Sequence, residues 1–207
     1  MVKIGINGDS FSLFDHTGYV QLGSKTSILI FEGACRIALN AKIRVQSGTL
    51  RIGDGVRIGT DSKIICNGSW VTIGKYTGIT FGCTLMNSSF HYTYDTVKKC
   101  YCNRSSPIVI GAYNWIGNQT TILSKCKTKD FSIVGTGSLL NRDYTQEDGE
   151  YPLLAGRPAK LIRLGVKRVF SPCVEQRVAG LFKQQLEALF FAQEEIPDNI
   201  NDIKIEM

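Results

Sequence analysis

The chain has two histidines, His16 and His91. His91 stands in a polar stretch, Met86-Asn87-Ser88-Ser89-Phe90-His91-Tyr92-Thr93-Tyr94-Asp95, that separates two regular ladders of apolar residues. An imidazole can take up and return a proton near neutral pH, provided a neighbour fixes its tautomer. Further on, Asn114-Trp115-Ile116-Gly117 sets a large aromatic beside an inward ladder position. Gly156 to Arg168 then gathers Arg157, Lys160, Arg163, Lys167 and Arg168 with no acidic residue. A local basic cluster of this kind suits a phosphorylated small ligand or an anionic surface. Aromatic residues are not interleaved with it as they are in stacking platforms, so no nucleic-acid partner is expected. His16, in Phe14-Asp15-His16-Thr17-Gly18, reads as a surface turn residue. Cys100 and Cys102 form a Cys-x-Cys pair, which reads as loop thiols because a structural zinc site takes four ligands.

At 207 residues the chain can bury one substantial core. Its hydrophobic content of 43% and charged content of 20% are ordinary for a globular protein, and the net charge of +6 is modest. No apolar run approaches the roughly 18 residues of a membrane span, and Met1-Val2-Lys3-Ile4-Gly5-Ile6-Asn7 lacks the apolar core of a signal peptide. The expected location is the cytoplasm. Among the seven cysteines, Cys35, Cys83 and Cys126 each precede a ladder position by two residues and read as packing residues.

The elements that must position these residues follow from the repeat. Phe31, Ile37 and Ile43 are spaced by six, as are Ile52, Ile58 and Ile64, and then Ile73, Ile79 and Leu85; each trio starts nine after the last ends. Beyond the interruption the spacing is six throughout, at Ile110, Ile116, Ile122, Thr128, Val134 and Leu140, with Thr128 alone breaking the apolar series. Small or aliphatic residues stand two before most of these positions (Cys35, Ala41, Val56, Ser62, Val71, Thr77, Thr120, Ser132, Ser138), and glycine follows many of them. Alternation in short strands with a bend every six residues describes a solenoid of flat sides.

Three sides make a coil of about 18 residues, stacked at the roughly 4.8 Å strand separation. The earlier 21-residue spacing places a three-residue bulge at Gln46-Ser47-Gly48 and again at Asn67-Gly68-Ser69. The expected organisation is an N-terminal cap over 1–21, a β-helix over 22–164 with a loop inserted at 86–107, and a C-terminal helix and tail over 165–207. Phe11, Leu13, Phe14 and Tyr19 would cap the first coil. Val174, Val178, Leu181, Phe182, Leu186, Leu189 and Phe190 follow helical spacing, stopping before Pro197. That helix is expected to pack on its own or a neighbouring subunit, with a membrane surface as the alternative.

From about Leu22 to Arg163 the repeat resembles that of the left-handed parallel β-helix acyltransferases. The order of Ser-Ser-Phe-His with Tyr-Asp, Pro-Ile-Val-Ile-Gly, Asn-Trp-Ile-Gly, Ile-Val-Gly-Thr-Gly-Ser and Ala-Gly-Arg-Pro-Ala-Lys-Leu-Ile-Arg is similar to that in maltose/galactoside-type sugar O-acetyltransferases and related polysaccharide-tailoring enzymes. The resemblance implies an all-β, left-handed hexapeptide-repeat solenoid and a homotrimer with sites between adjacent prisms. It implies acetyl transfer from acetyl-CoA, without a metal, to a saccharide hydroxyl, such as one of a surface-polysaccharide precursor.

By the same resemblance His91 is the general base. Trp115, Asn118, Thr136, Asn141, Arg142, Lys160 and Arg163 match cofactor-contacting positions. Asp61, Asn67, Asn87, Tyr92, Tyr94 and Asp95 are the candidates for the acceptor or for orienting the base. Many relatives carry an acid two residues before the histidine, where this chain has Ser89, which leaves a backbone carbonyl, Asn87 or Asp95 to orient the ring. Alternative readings are N-acetylation of an amino sugar or a small-molecule drug, and a non-catalytic scaffold. A metal-dependent β-helix of the γ-carbonic-anhydrase kind would need several imidazoles at a subunit cleft, and the chain has two.

Overall fold

The computed structural model describes residues 2–6 and 18–183. Strand pairing resolves into three stacks that form the sides of a prism, parallel throughout except for the antiparallel last strand of the first side. The first side holds eight strands: Val2–Ile6, Cys35–Ala38, Arg57–Ile58, Gly78–Ile79, Trp115–Ile116, Ile133–Val134, Leu153–Gly156 and Ala159–Arg163. The second holds six: Tyr19–Leu22, Lys42–Val45, Lys63–Cys66, Thr84–Met86, Thr121–Leu123 and Leu139–Leu140. The third holds four: Ser27–Phe31, Gly48–Ile52, Ser69–Ile73 and Ile108–Ile110. Within the stretch expected as a cap, Val2–Ile6 pairs in parallel with Cys35–Ala38, and Tyr19–Leu22 with Lys42–Val45. Phe11, Leu13, Phe14 and His16 lie outside the described residues.

The ladder read from the sequence is the ladder of register. Ile37, Ile58, Ile79, Ile116 and Val134 stack on the first side, and Ile43, Ile64, Leu85, Ile122 and Leu140 on the second. Phe31, Ile52, Ile73 and Ile110 stack on the third. All but the half-buried Phe31 are buried, as are the small residues two positions before them. The buried hydroxyls find carbonyls at the corners: Ser62 Oγ donates to Thr80 O at 2.9 Å, Thr77 Oγ1 to Gly111 O at 2.8 Å and Ser132 Oγ to Lys129 O at 2.7 Å.

The recurring glycine answers a different demand from bending. At Gly74 and Gly111 a Cβ would lie 2.5 and 2.6 Å from backbone atoms of the next coil, so close coil-to-coil approach sets the residue type. Thr128, the one polar step in the ladder, is buried in a closed network. Its Oγ1 donates to Asn114 Oδ1 at 2.8 Å, while Asn114 Nδ2 reaches Ala112 O at 2.9 Å and Lys129 O at 2.8 Å.

The corners differ in chemistry. Between the third and first sides Tyr76, Tyr113, Phe131 and Tyr151 all adopt positive φ, between 54° and 60°. For non-glycine residues this conformation costs on the order of 1–2 kcal/mol each. Stacking offsets it: ring centroids are 5.2 Å apart for Tyr76 and Tyr113, 4.8 Å for Tyr113 and Phe131, and 5.8 Å edge-on for Phe131 and Tyr151.

Arg168 begins a second compact unit. Its helix Pro172–Phe182 starts at Ser171, whose Oγ accepts from Val174 N at 3.4 Å, with proline at the first helical position. Leu186, Leu189 and Phe190 lie outside the described residues. No helix among the described residues is long and apolar enough to cross a membrane.

Because Ile58 and Ile116 are packed from above and below, truncating either to alanine is expected to cost about 2–5 kcal/mol, measured by urea denaturation. A loss below about 1 kcal/mol would contradict this packing.

Candidate active site

The interruption between the ladders leaves the prism at the corner joining the second and third sides, where the chain turns back on itself as an antiparallel hairpin. Thr93–Asp95 pairs with Cys100–Cys102, with Tyr94 opposite Tyr101. Asp95 Oδ1 closes the turn by accepting from Val97 N at 2.9 Å and Lys98 N at 2.8 Å. At the root, Ser105 Oγ donates to Ser88 Oγ at 3.0 Å with both residues buried, and Ser106 N donates to Asn87 O at 3.0 Å.

His91 is exposed just above this root. Ser89 donates its hydroxyl to the His91 carbonyl at 3.0 Å and its backbone N–H to Arg104 O at 2.9 Å. The serine thus fixes the main chain of the histidine. Asn87 is fully buried, and its Oδ1 accepts from Asn67 N at 2.8 Å. Asn67 Oδ1 in turn accepts from Ser47 Oγ at 2.9 Å, so Ser47, Asn67 and Asn87 form a polar ladder under the hairpin. The Asn67 and Asn87 side chains therefore anchor the hairpin. Tyr92 lies under the Arg104 guanidinium at 5.0 Å, and Tyr94 meets Tyr101 edge-on at 5.0 Å. Asp61 lies elsewhere, at the corner between the first and second sides, accepting from Asn40 Nδ2.

Most of the candidate cofactor residues share one region. Trp115, 39% exposed, lies in register with Ile133, Ile133 with Leu153 and Leu153 with Arg163, along the outer face of the first side. Lys160 is exposed on the same terminal strand. Asn118 and Thr136 occupy successive turns of the adjoining corner, where Gly137 N donates to Asn118 O at 2.8 Å. Arg157 joins them by donating from Nη1 to Gly137 O at 3.2 Å. Asn141 and Arg142 follow the strand Leu139–Leu140, across the second side, and Arg142 is paired with Glu147 at 2.6 Å. Two structural contributors escaped the motif reading: Asn114, whose buried amide fixes the corner before Trp115, and Arg157. The first is visible in sequence only as the polar start of Asn-Trp-Ile-Gly, and the second as a member of the basic cluster and of the Ala-Gly-Arg-Pro stretch, neither of which assigns it a role.

The hairpin presents one exposed imidazole, His91. On the first side of the prism, a flat face bearing an indole, a lysine and an arginine can hold an extended molecule with anionic groups. No cluster of His, Cys, Asp or Glu arranged to hold a metal occurs among the described residues.

The three-sided parallel β-helix matches the left-handed β-helix fold seen in solved acetyltransferase structures. The polysialic-acid-specific acetyltransferase NeuO has a solved structure similar to this chain, with a TM-score of 0.56 and 23% identity over 77% of this chain and 78% of that one. AntD, an N-acyltransferase from Bacillus cereus solved as a variant with dTDP and coenzyme A, matches with a TM-score of 0.51 and 14% identity over 79% of this chain and 88% of that one. No protein-family model matches the sequence, and no curated protein matches it.

The thiols give a separate check of this geometry. Burial pushes the Cys126 thiol up to about 12 and the Cys66 thiol to about 11, whereas Cys100 and Cys173 are exposed. Iodoacetamide at pH 8 is expected to label Cys100 and Cys173 and to leave Cys66 and Cys126 unmodified until the chain is unfolded, as read by peptide mass spectrometry. Both raised values favour the neutral thiol in the fold, so this contribution to stability is lost as pH rises from the unfolded value toward 11–12.

Proposed function

We propose that the chain is a CoA-dependent acetyltransferase that moves the acetyl group of acetyl-CoA to a saccharide hydroxyl, working in the cytoplasm on a precursor of surface polysaccharide. The observation that carries this reading is the exposed His91 imidazole on a braced hairpin, set on a β-helix of the kind seen in NeuO. NeuO is specific for polysialic acid, which supports a saccharide acceptor, and AntD is an N-acyltransferase solved with coenzyme A, which supports the donor. Seven unpaired thiols fit a reducing compartment.

In the proposed reaction His91 takes the proton of the acceptor hydroxyl as that oxygen attacks the thioester carbonyl carbon. The C–S bond then breaks, and the imidazolium returns its proton to the departing thiolate. The products are the acetyl ester and free CoA. Trp115 offers a flat surface to the pantetheine and adenine arm, with Asn118 and Thr136 beside it, while Lys160 and Arg163 hold phosphates. Asn141 and Arg142 complete the cofactor set only if the arm crosses the second side.

Within one chain the hairpin leaves the corner between the second and third sides, and Trp115 lies on the first side. A homotrimer in which the hairpin of one copy faces the first side of the next would bring the two halves of the site together.

Replacing His91 with alanine is expected to lower kcat by about 10²–10⁴-fold while CoA still raises the melting temperature. Turnover within threefold of wild type would sink the assignment. Changing Lys160 and Arg163 together to glutamine is expected to raise the apparent KM for acetyl-CoA roughly ten- to a hundredfold with kcat little altered. An unchanged KM would assign them to a solvated basic turn. Locating the acetyl group by NMR after incubation with hydroxyl and amine acceptors separates ester from amide formation.

A further inference from the structure

Beside the hairpin root the third side carries a shallow cleft of about 440 Å³, lined by Ser47, Gly48, Thr49, Gly68, Ser69 and Trp70. Its location is set by the same corner that anchors the catalytic loop. Ser47 belongs to the polar ladder that ends at Asn87, and a Cβ on Gly68 would come within 2.8 Å of Ser105 Oγ in the root itself. Gly48 has a φ of +95°, and a Cβ there would lie 1.9 Å from Ser69 O, so that part of the cleft is open backbone by necessity.

Trp70 rises from this floor with 53% of its surface exposed. It alternates with buried Val71 and stands in register with Thr49, so the indole points outward from a rigid strand. No ring or cation stacks on it among the described residues, in contrast to Tyr113 and Tyr92, which are covered by Phe131 and Arg104. Thr49 and Ser69 are half-buried residues of the cleft lining, and neither hydroxyl takes part in the hydrogen bonds among the described residues. A flat apolar face with hydroxyls at its edge matches a pyranose ring, which has an apolar C–H face and a rim of hydroxyl groups.

From these placements we infer that the Trp70 cleft is the subsite that holds a sugar ring of the acceptor, stacked on the indole and hydrogen-bonded to Thr49 and Ser69, next to the hairpin that presents His91. The inference rests on the acetyltransferase reading for its purpose, and on the cleft alone for its chemistry. Sugar recognition here belongs to the prism, and proton transfer to the hairpin.

Trp115→Phe leaves Trp70 as the single tryptophan. Its emission can be titrated, without CoA, against maltohexaose as a neutral probe and a sialic acid hexamer as an acidic one. A saturable blue shift with one of the two is expected. In calorimetry on the otherwise native chain, Trp70→Ala should weaken that binding at least tenfold, Trp70→Phe should restore part of it, and Thr49→Val with Ser69→Ala should weaken it severalfold. Unchanged melting temperatures would show that each variant folds. Should a variant fail to fold, the emission titration decides alone. No saturable change with either probe overturns the subsite, and so does binding that survives Trp70→Ala within twofold. Acetyl transfer to the bound probe is assayed separately on the native chain. Its absence would count against the proposed reaction while leaving the subsite standing on its binding data.

Discussion

Coil-to-coil backbone contact is the constraint on which the structure depends. Each strand of the ladder pairs in parallel with the one a full coil away, so the inward positions are floor and ceiling for their neighbours, and each corner must clear the next at backbone distance. The inward positions therefore take branched aliphatic residues, and the tightest corner positions take glycine. A slip of one residue would turn the inward set to solvent on all three sides, so the register is strongly specified. An insertion cannot be absorbed inside such a stack. It must leave at a corner and satisfy its own backbone, which the 86–107 excursion does with an antiparallel hairpin and a serine-bonded root.

This constraint connects packing to the candidate chemistry. The excursion leaves where the second side meets the third, and Ser47, Asn67 and Asn87 pass hydrogen bonds from coil to coil up to its base. The His91 backbone is thus tied to the solenoid through the buried root, by way of the exposed Ser89 hydroxyl that donates to its carbonyl. A residue on a loop depends on such bracing to hold its geometry, because loops position side chains less precisely than strands do.

The solenoid was legible because a six-residue period with small residues at the alternate sites has few other physical explanations. Register adds the pairing: Ile43 with Ile64 and Ile122 with Leu140 follow from spacings of 21 and 18. The polar exceptions were not legible. Thr128 looks like a flaw in the ladder until Asn114 is seen beside it, because a buried amide and hydroxyl satisfy each other only in three dimensions. Asn67 and Asn87 carry the amide groups expected of sugar-binding residues, and no sequence feature tells an amide turned into a coil ladder from one turned outward. The hairpin pairing was hidden as well, since Tyr94 and Tyr101 become cross-strand partners only once the turn at Asp95 is formed. Trp70 was overlooked because it precedes a ladder residue by three, a position that periodicity leaves unassigned.

The three corners divide the demands on the fold, and their aromatic residues show how. Between the third and first sides, the rings from Tyr76 to Tyr151 lie against one another, and their stacking offsets the positive φ of their own backbone. Ring faces used in this way are closed to ligands. Trp70 has extended strand geometry and needs no such compensation, yet it holds a large apolar surface in solvent on a strand flanked by glycine and serine. Exposing an indole forgoes part of the roughly 1.5–3 kcal/mol that burial of a large apolar side chain provides, and nothing in the coil requires a tryptophan there. The contrast between a self-stacked ladder that stabilises the prism and a solitary exposed indole beside the hairpin root separates the residues that build the solenoid from those placed to meet a ligand.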